Sequence, residues 1–179
     1  SLGGIVGTTA VASSNRTLGS ATADALYNFS AAAIENSGGQ ISNLLLGSTY
    51  FGPQVKHNVA LGGNAQYANF ATQNCSGLSD KVCYETFENN ASAEQLADVT
   101  AAFQQFAYAA QTVLDTIDPY TNADYLLSAT TPMPTYMGQA KEDQTVPNTV
   151  ANAPFAGTTP LATKLGLKVV DARSVAPRG

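Results

Sequence analysis

The sequence predicts an α/β chain in which a few short strands are interrupted by one long helical insertion. Three observations carry this. Short apolar runs at 26–34 and 133–138 end in glycine-containing turns, a helical period runs from 92 to 117, and helical segments follow one another through 40–125 without a strand signal. Connections in compact domains usually run a few residues, so a span this long between two strands reads as an inserted helical cap.

The elements follow in order. Residues 2–14 are small and apolar without strict alternation, which predicts a short buried helix; Asn15-Arg16-Thr17 reads as a turn and 21–25 as a helical turn or loop. Leu26 to Ile34 reads as a buried strand stopped by Asn36-Ser37-Gly38-Gly39. Short helices are expected over 41–46, 53–61 and 64–72. In the strongest element, Leu96, Val99, Phe103, Phe106, Ala110, Val113 and Ile117 recur at spacings of three and four, so one apolar stripe follows one helix face. Ser92 with Gln95 forms a capping box at its start, and Asp118-Pro119 marks its end. Met133 to Gly138 is expected as a strand leading into the polar loop 139–148, Pro160 to Leu165 as a helix, and Gly166 to Asp171 as another strand.

Composition narrows the function. The 179 residues carry a net charge of −5 with only 12% charged side chains, so Asn, Gln, Ser and Thr must wet most of the surface, a pattern commoner outside the cell. Eight basic residues scattered among thirteen acidic ones make no positive patch for phosphates, which argues against nucleic acid and anionic membrane surfaces. No apolar run approaches the roughly 20 residues that span a bilayer. The chain starts at Ser1 without Met or a charged leader, and reads as a fragment or a processed chain.

Two segments have chemical potential. Ser1-Leu2-Gly3-Gly4 matches the second half of a nucleophile elbow, the strand-to-helix turn that lifts a serine hydroxyl above a sheet. There Ser1 would be the nucleophile, and the Leu2 N–H, at a helix N-terminus, would help to hold the oxyanion. A glycine-rich loop opening a helix is the plainer alternative. Asp143-Gln144-Thr145-Val146-Pro147 follows an expected strand, where an acid can orient an imidazole; Glu142 competes for the role, and a solvated acidic turn is the alternative. The single histidine, His57, precedes Asp143 and so stands in the wrong chain order for a Ser, acid, His triad. It is expected to have a structural or surface role, with the catalytic histidine beyond Gly179.

Ser1-Leu2-Gly3-Gly4-Ile5-Val6-Gly7-Thr8, the run 26–34 before Gly38-Gly39, the segment 106–115, Asp143-Gln144-Thr145-Val146-Pro147-Asn148, and Ala153-Pro154-Phe155-Ala156-Gly157-Thr158 together resemble the C-terminal part of the large extracellular virulence-factor lipases of Gram-negative bacteria. The resemblance covers most of the chain. It implies an α/β-hydrolase fold and a serine esterase acting on lipid acyl esters, lysophospholipids included, at a secreted or cell-surface location. It also implies that Ser1 is the nucleophile and Asp143 the acid. The chain would be one incomplete domain, 1–179, holding the second half of the sheet with a cap at 40–125. The N-terminal half of the domain, a second oxyanion donor and the histidine would lie outside it, and the piece alone would be inactive.

Apolar residues of the cap, Ile41, Leu44, Leu45, Leu46, Tyr50, Phe51, Tyr67 and Phe70, are candidates to line an acyl pocket, the alternative being the cap's own core. Cys75 and Cys83 enclose a short polar loop, which suggests a disulfide; reduced buried thiols are the alternative. No second pair or nearby histidine supports zinc, and no cofactor is expected. Two other readings stay open. One is an N-terminal-nucleophile hydrolase using the Ser1 α-amine as base, and the other is a non-catalytic secreted helical module.

Overall fold

In the computed structural model, which describes residues 2–127 and 133–170, two short strands pair in parallel and the other regular elements of these residues are helical. Strand β1 (Ala32–Glu35) lies beside β2 (Thr135–Gly138), with Ala32 opposite Thr135 and Glu35 opposite Gly138. Along β1, buried Ala32 and Ile34 alternate with exposed Ala33 and Glu35, so one face meets the core. Parallel strands need a crossover, because the chain must return to the same end before it can pair again. Here the crossover contains α3 (Ile41–Gly47), α4 (Gly52–Gly63), α5 (Ala65–Asn74), α6 (Asp80–Asn90), α7 (Ala93–Leu114), α8 (Pro119–Asn122) and α9 (Asp124–Leu127). Helices α1 (Leu2–Ser14) and α2 (Ala21–Tyr27) precede β1, and α10 (Thr158–Lys164) follows β2. No described helix is long and apolar enough to cross a membrane.

Two apolar clusters divide the interior. Ala12 of α1, Ala32 and Ile34 of β1, Leu126, Met133, Leu161 and Leu165 form the cluster on the sheet. Ala60, Tyr67, Tyr84, Phe87, Val99 and Phe103 form a second one inside the helical crossover, with Tyr67 and Phe87 meeting edge to face at 4.9 Å. Each large side chain buried this way is worth about 1.5–3 kcal/mol. The bond between Cys75 and Cys83, with Cα atoms 5.4 Å apart, fastens the end of α5 to the first turn of α6. Closing so short a loop stabilises by a little under ~3 kcal/mol through the unfolded chain.

The capping box at α7 forms: Gln95 N donates to Ser92 Oγ, and Ser92 N to Gln95 Oε1. The expected stripe on α7 holds only in its first half. Val99, Phe103, Ala107 and Gln111 are buried, whereas Val113 is 76% exposed. Steps of four keep the inward face on one line, and a polar residue, Gln111, takes the last inward position.

Three further expectations are corrected. Leu26 and Tyr27 end helix α2 and are exposed, because Ser20 caps that helix by accepting from Ala23 N, and Asp24 holds Leu18 N; the strand starts only at Ala32. Residues 166–170 form no strand, and Asp171 lies outside the described residues. Gly166, at φ +65°, instead terminates α10: Gly166 N donates to Thr163 O and Leu167 N to Ala162 O, which satisfies the last helical carbonyls. Helix α6 has no counterpart among the expected segments. Its signals are Ser79, which caps it by accepting from Val82 N, and the inward set Cys83, Tyr84 and Phe87.

One buried carboxylate ties the starts of α3 and α8 to the inner face of α7. Asp118 is fully buried; its Oδ1 accepts from Gln40 N (3.0 Å) and Tyr120 N (2.8 Å), and its Oδ2 from Ile41 N (2.8 Å) and Gln111 Nε2 (3.0 Å). Asp118→Ala strands these donors in a dry interior, and a loss of at least about 3 kcal/mol in unfolding free energy is expected. Urea denaturation checks it, and an unchanged midpoint contradicts it.

Candidate active site

Helix α1 crosses the exit of β1. A Cβ at Gly4 would overlap the Glu35 carbonyl oxygen, so only glycine lets the first turn of α1 sit this close to the strand's C-terminal end. Thr8 donates to Gly4 O at 2.7 Å, and its hydroxyl shares a second hydrogen bond with Ser37 Oγ at 2.9 Å, both residues fully buried. The start of α1 is thereby pinned to the segment leaving β1. Leu2 is its first residue, so its N–H has no partner within the helix. Ser1 lies outside the described residues.

From β2 the chain runs into the loop 139–148, which Asn36 holds beside the exit of β1. Asn36 N donates to Gly138 O at 2.9 Å, and Asn36 Oδ1 accepts from Ala140 N at 2.8 Å. Within the loop, Asp143 Oδ1 accepts from Thr145 N (2.8 Å) and Val146 N (3.0 Å), which fixes the carboxylate on its own backbone. Asp143 is half-buried, and its Oδ2 takes no hydrogen bond from a described residue. A carboxylate with one oxygen fixed and the other free can orient an incoming N–H donor such as an imidazole.

The loop is also fastened to the helical crossover. Gln144 O accepts from Ser48 Oγ (3.0 Å) and Tyr50 N (2.9 Å), while Ser48 Oγ accepts from Phe51 N (3.1 Å). On the other side of the loop, a Cβ at Gly38 would meet Leu44 Cδ1 at 2.5 Å and Val146 Cγ1 at 3.1 Å. Leu44, 2% exposed, therefore fills the interior between α3 and the exit of β1, and Leu45 is half-buried. Tyr50 and Phe51 lie open, their rings edge to face at 4.9 Å. Tyr67 and Phe70 belong to the interior of the crossover.

His57 sits apart from this loop, between α5 and α6. Its Nδ1 is 2.8 Å from the Tyr67 hydroxyl and its Nε2 is 3.7 Å from Asp80 Oδ1; Asn58 Nδ2 donates to the other Asp80 oxygen at 3.1 Å. At 8% exposure the ring is a packing element that ties three helices. Asp118 is legible only as the Asp-Pro pair that marks the end of α7, where it also caps α8 by accepting from Tyr120 N; its buried anchoring role, Gln111 and the Gln144 clamp have no sequence signal.

Comparison with protein-family models, curated proteins and solved structures finds no match to this chain.

Burial, reinforced by the Asp80 carboxylate, pushes the Tyr67 phenol up from 10 to about 12, and burial followed by Glu88 raises Tyr84. The folded state thus favours the protonated phenol. That contribution is complete below pH 10 and is lost as pH climbs from about 10 to about 12. Absorbance titration of the eight tyrosines should show late-ionising phenols at Tyr67 and Tyr84, the Tyr67 component absent in Tyr67→Phe, and all phenols titrating together on unfolding. Uniform titration near 10 in the folded protein contradicts the burial of these phenols.

Proposed function

We propose that this chain carries part of the active site of a serine ester hydrolase acting on lipid acyl esters. The observation that carries the reading is positional. The first turn of α1 and the Asp143 loop both stand at the C-terminal ends of a parallel strand pair, β1 and β2, where ligands of open α/β sheets bind. In this proposal Ser1, directly before α1, attacks the ester carbonyl carbon as a histidine takes its proton. The carbonyl electron pair moves onto oxygen, facing the Leu2 N–H, which the helix leaves unpartnered and which its dipole favours for negative charge. Asp143 Oδ2 orients that histidine and stabilises its protonated form. Collapse of the intermediate expels the alcohol, which takes the proton from the histidine; water then releases the acyl group by the same steps.

Support also comes from chemistry along the chain. The disulfide and the sparsely charged surface suit a secreted or cell-surface enzyme of a Gram-negative bacterium, and the resemblance to virulence-factor lipases assigns Ser1 and Asp143 the same roles. The proposed enzyme is a lipid-degrading α/β-hydrolase whose helical crossover covers the site.

In the full-length protein, Ser1→Ala is expected to abolish hydrolysis of p-nitrophenyl butyrate. Asp143→Asn keeps an oxygen for the loop's two N–H donors but removes the charge, and should lower kcat by up to about 10⁴-fold without shifting the melting temperature. Turnover unaffected by Ser1→Ala overturns the proposal.

A further inference from the structure

We propose that Tyr50 and Phe51 form a fixed aromatic wall of the acyl-chain subsite and set the enzyme's preference for acyl length. The inference rests on the ester-hydrolase reading above and adds to it the element that recognises the chain of the substrate. Its basis is a juxtaposition. Gln144, covalently next to Asp143, receives on its carbonyl both Ser48 Oγ and Tyr50 N, so the proposed acid and the aromatic pair share one hydrogen-bonded junction. Phe51 N closes the same junction by donating to Ser48 Oγ at 3.1 Å.

The rings themselves are spare. Tyr50 is 58% and Phe51 38% exposed, whereas Leu44 and Tyr67, apolar candidates from the same crossover, are consumed by the interior. Edge-to-face contact at 86° holds each ring against the other, leaving an apolar ledge that no described residue covers fully. No charged residue occurs between 41 and 55, so the ledge suits an uncharged methylene chain rather than an ionic group.

The wall is fixed because the segment that carries it, 40–51, is tied at both ends. At the exit of β1 the Asp118 carboxylate binds Gln40 N and Ile41 N, and at the acid loop Ser48 and Tyr50 bind Gln144. A pair anchored in this way does not swing clear when substrate arrives. The subsite therefore takes dissolved ester molecules without first meeting a lipid surface.

The test uses the full-length protein with p-nitrophenyl acetate, butyrate and octanoate. In Tyr50→Ala/Phe51→Ala the ratio of kcat/KM for octanoate over acetate is expected to fall about 10-fold, since apolar contact is lost to the long chain alone. Tyr50→Phe should keep the wild-type ratio, because the ring and not the hydroxyl makes the wall. With tributyrin, the wild-type rate should pass through the solubility limit without a jump. Circular dichroism establishes that each variant is folded, and the single alanine variants are read separately if the double one is not. An unchanged octanoate-to-acetate ratio in a folded variant overturns the wall, and a jump at the solubility limit overturns its being fixed. Absence of any Ser1-dependent hydrolysis in the wild type overturns the ester-hydrolase reading, and this inference with it.

Discussion

A carboxylate that no described cation pairs with is an expensive object to bury, and the rest of the structure is arranged so that Asp118 can be. Water normally supplies its hydrogen bonds; here three backbone N–H groups and one amide do so, from the start of α3, the start of α8 and the inner face of α7. Two of the backbone donors, Ile41 N and Tyr120 N, belong to first turns of helices, where N–H groups are unpaired and the dipole attracts negative charge. Gln111 extends the network: its Oε1 accepts from Ser42 N at 3.2 Å, and its Nε2 also donates to Asp115 at 2.8 Å. Loosening this junction detaches the crossover from the sheet at the place where the chain leaves β1.

That dependence reaches the candidate site. The acid loop draws its position from Asn36 on the sheet side and from Ser48 and Tyr50 on the crossover side, so both halves of the molecule must be in register before Asp143 is placed. Antiparallel contact between Gly39 and Gly157, through paired bonds of 3.3 and 3.2 Å, adds a third tie on the far side of the same loop. Asp143 spends one oxygen on local order, and its other oxygen takes no hydrogen bond from a described residue.

Legibility in the sequence followed the range of the forces involved. Ser92 and Gln95 were readable because a capping box closes within four residues, and the cysteine pair was readable for the same reason. Leu26 and Tyr27 misled because apolar residues in a row resemble a strand, while the deciding groups, Ser20 and Asp24, lie upstream and are polar. Gly166 looked like the start of a strand, although the two hydrogen bonds that make it a helix stop are visible only in three dimensions. The position of Asp143 after a strand was legible; the clamp on Gln144 was not, because a backbone carbonyl has no sequence signature. Asp118 was readable as the end of a helix and nothing more, since its donors Gln40 and Ile41 lie more than seventy positions away.

The register of Ala32 with Thr135 joins residues about a hundred positions apart, and closing a flexible loop of that length is entropically costly. Contacts inside the crossover are far more local, from the cysteine pair to the packing of α4 against α5 and α6. Once these helices have assembled, the chain between the strands is no longer a long flexible tether, since the Asp118 junction has already brought residue 118 back to residue 40. Topology therefore favours an order of events in which the crossover forms early and the parallel pair late. The ends of β1 and β2, and with them the place where Asp143 stands, are then among the last parts of the protein to be completed.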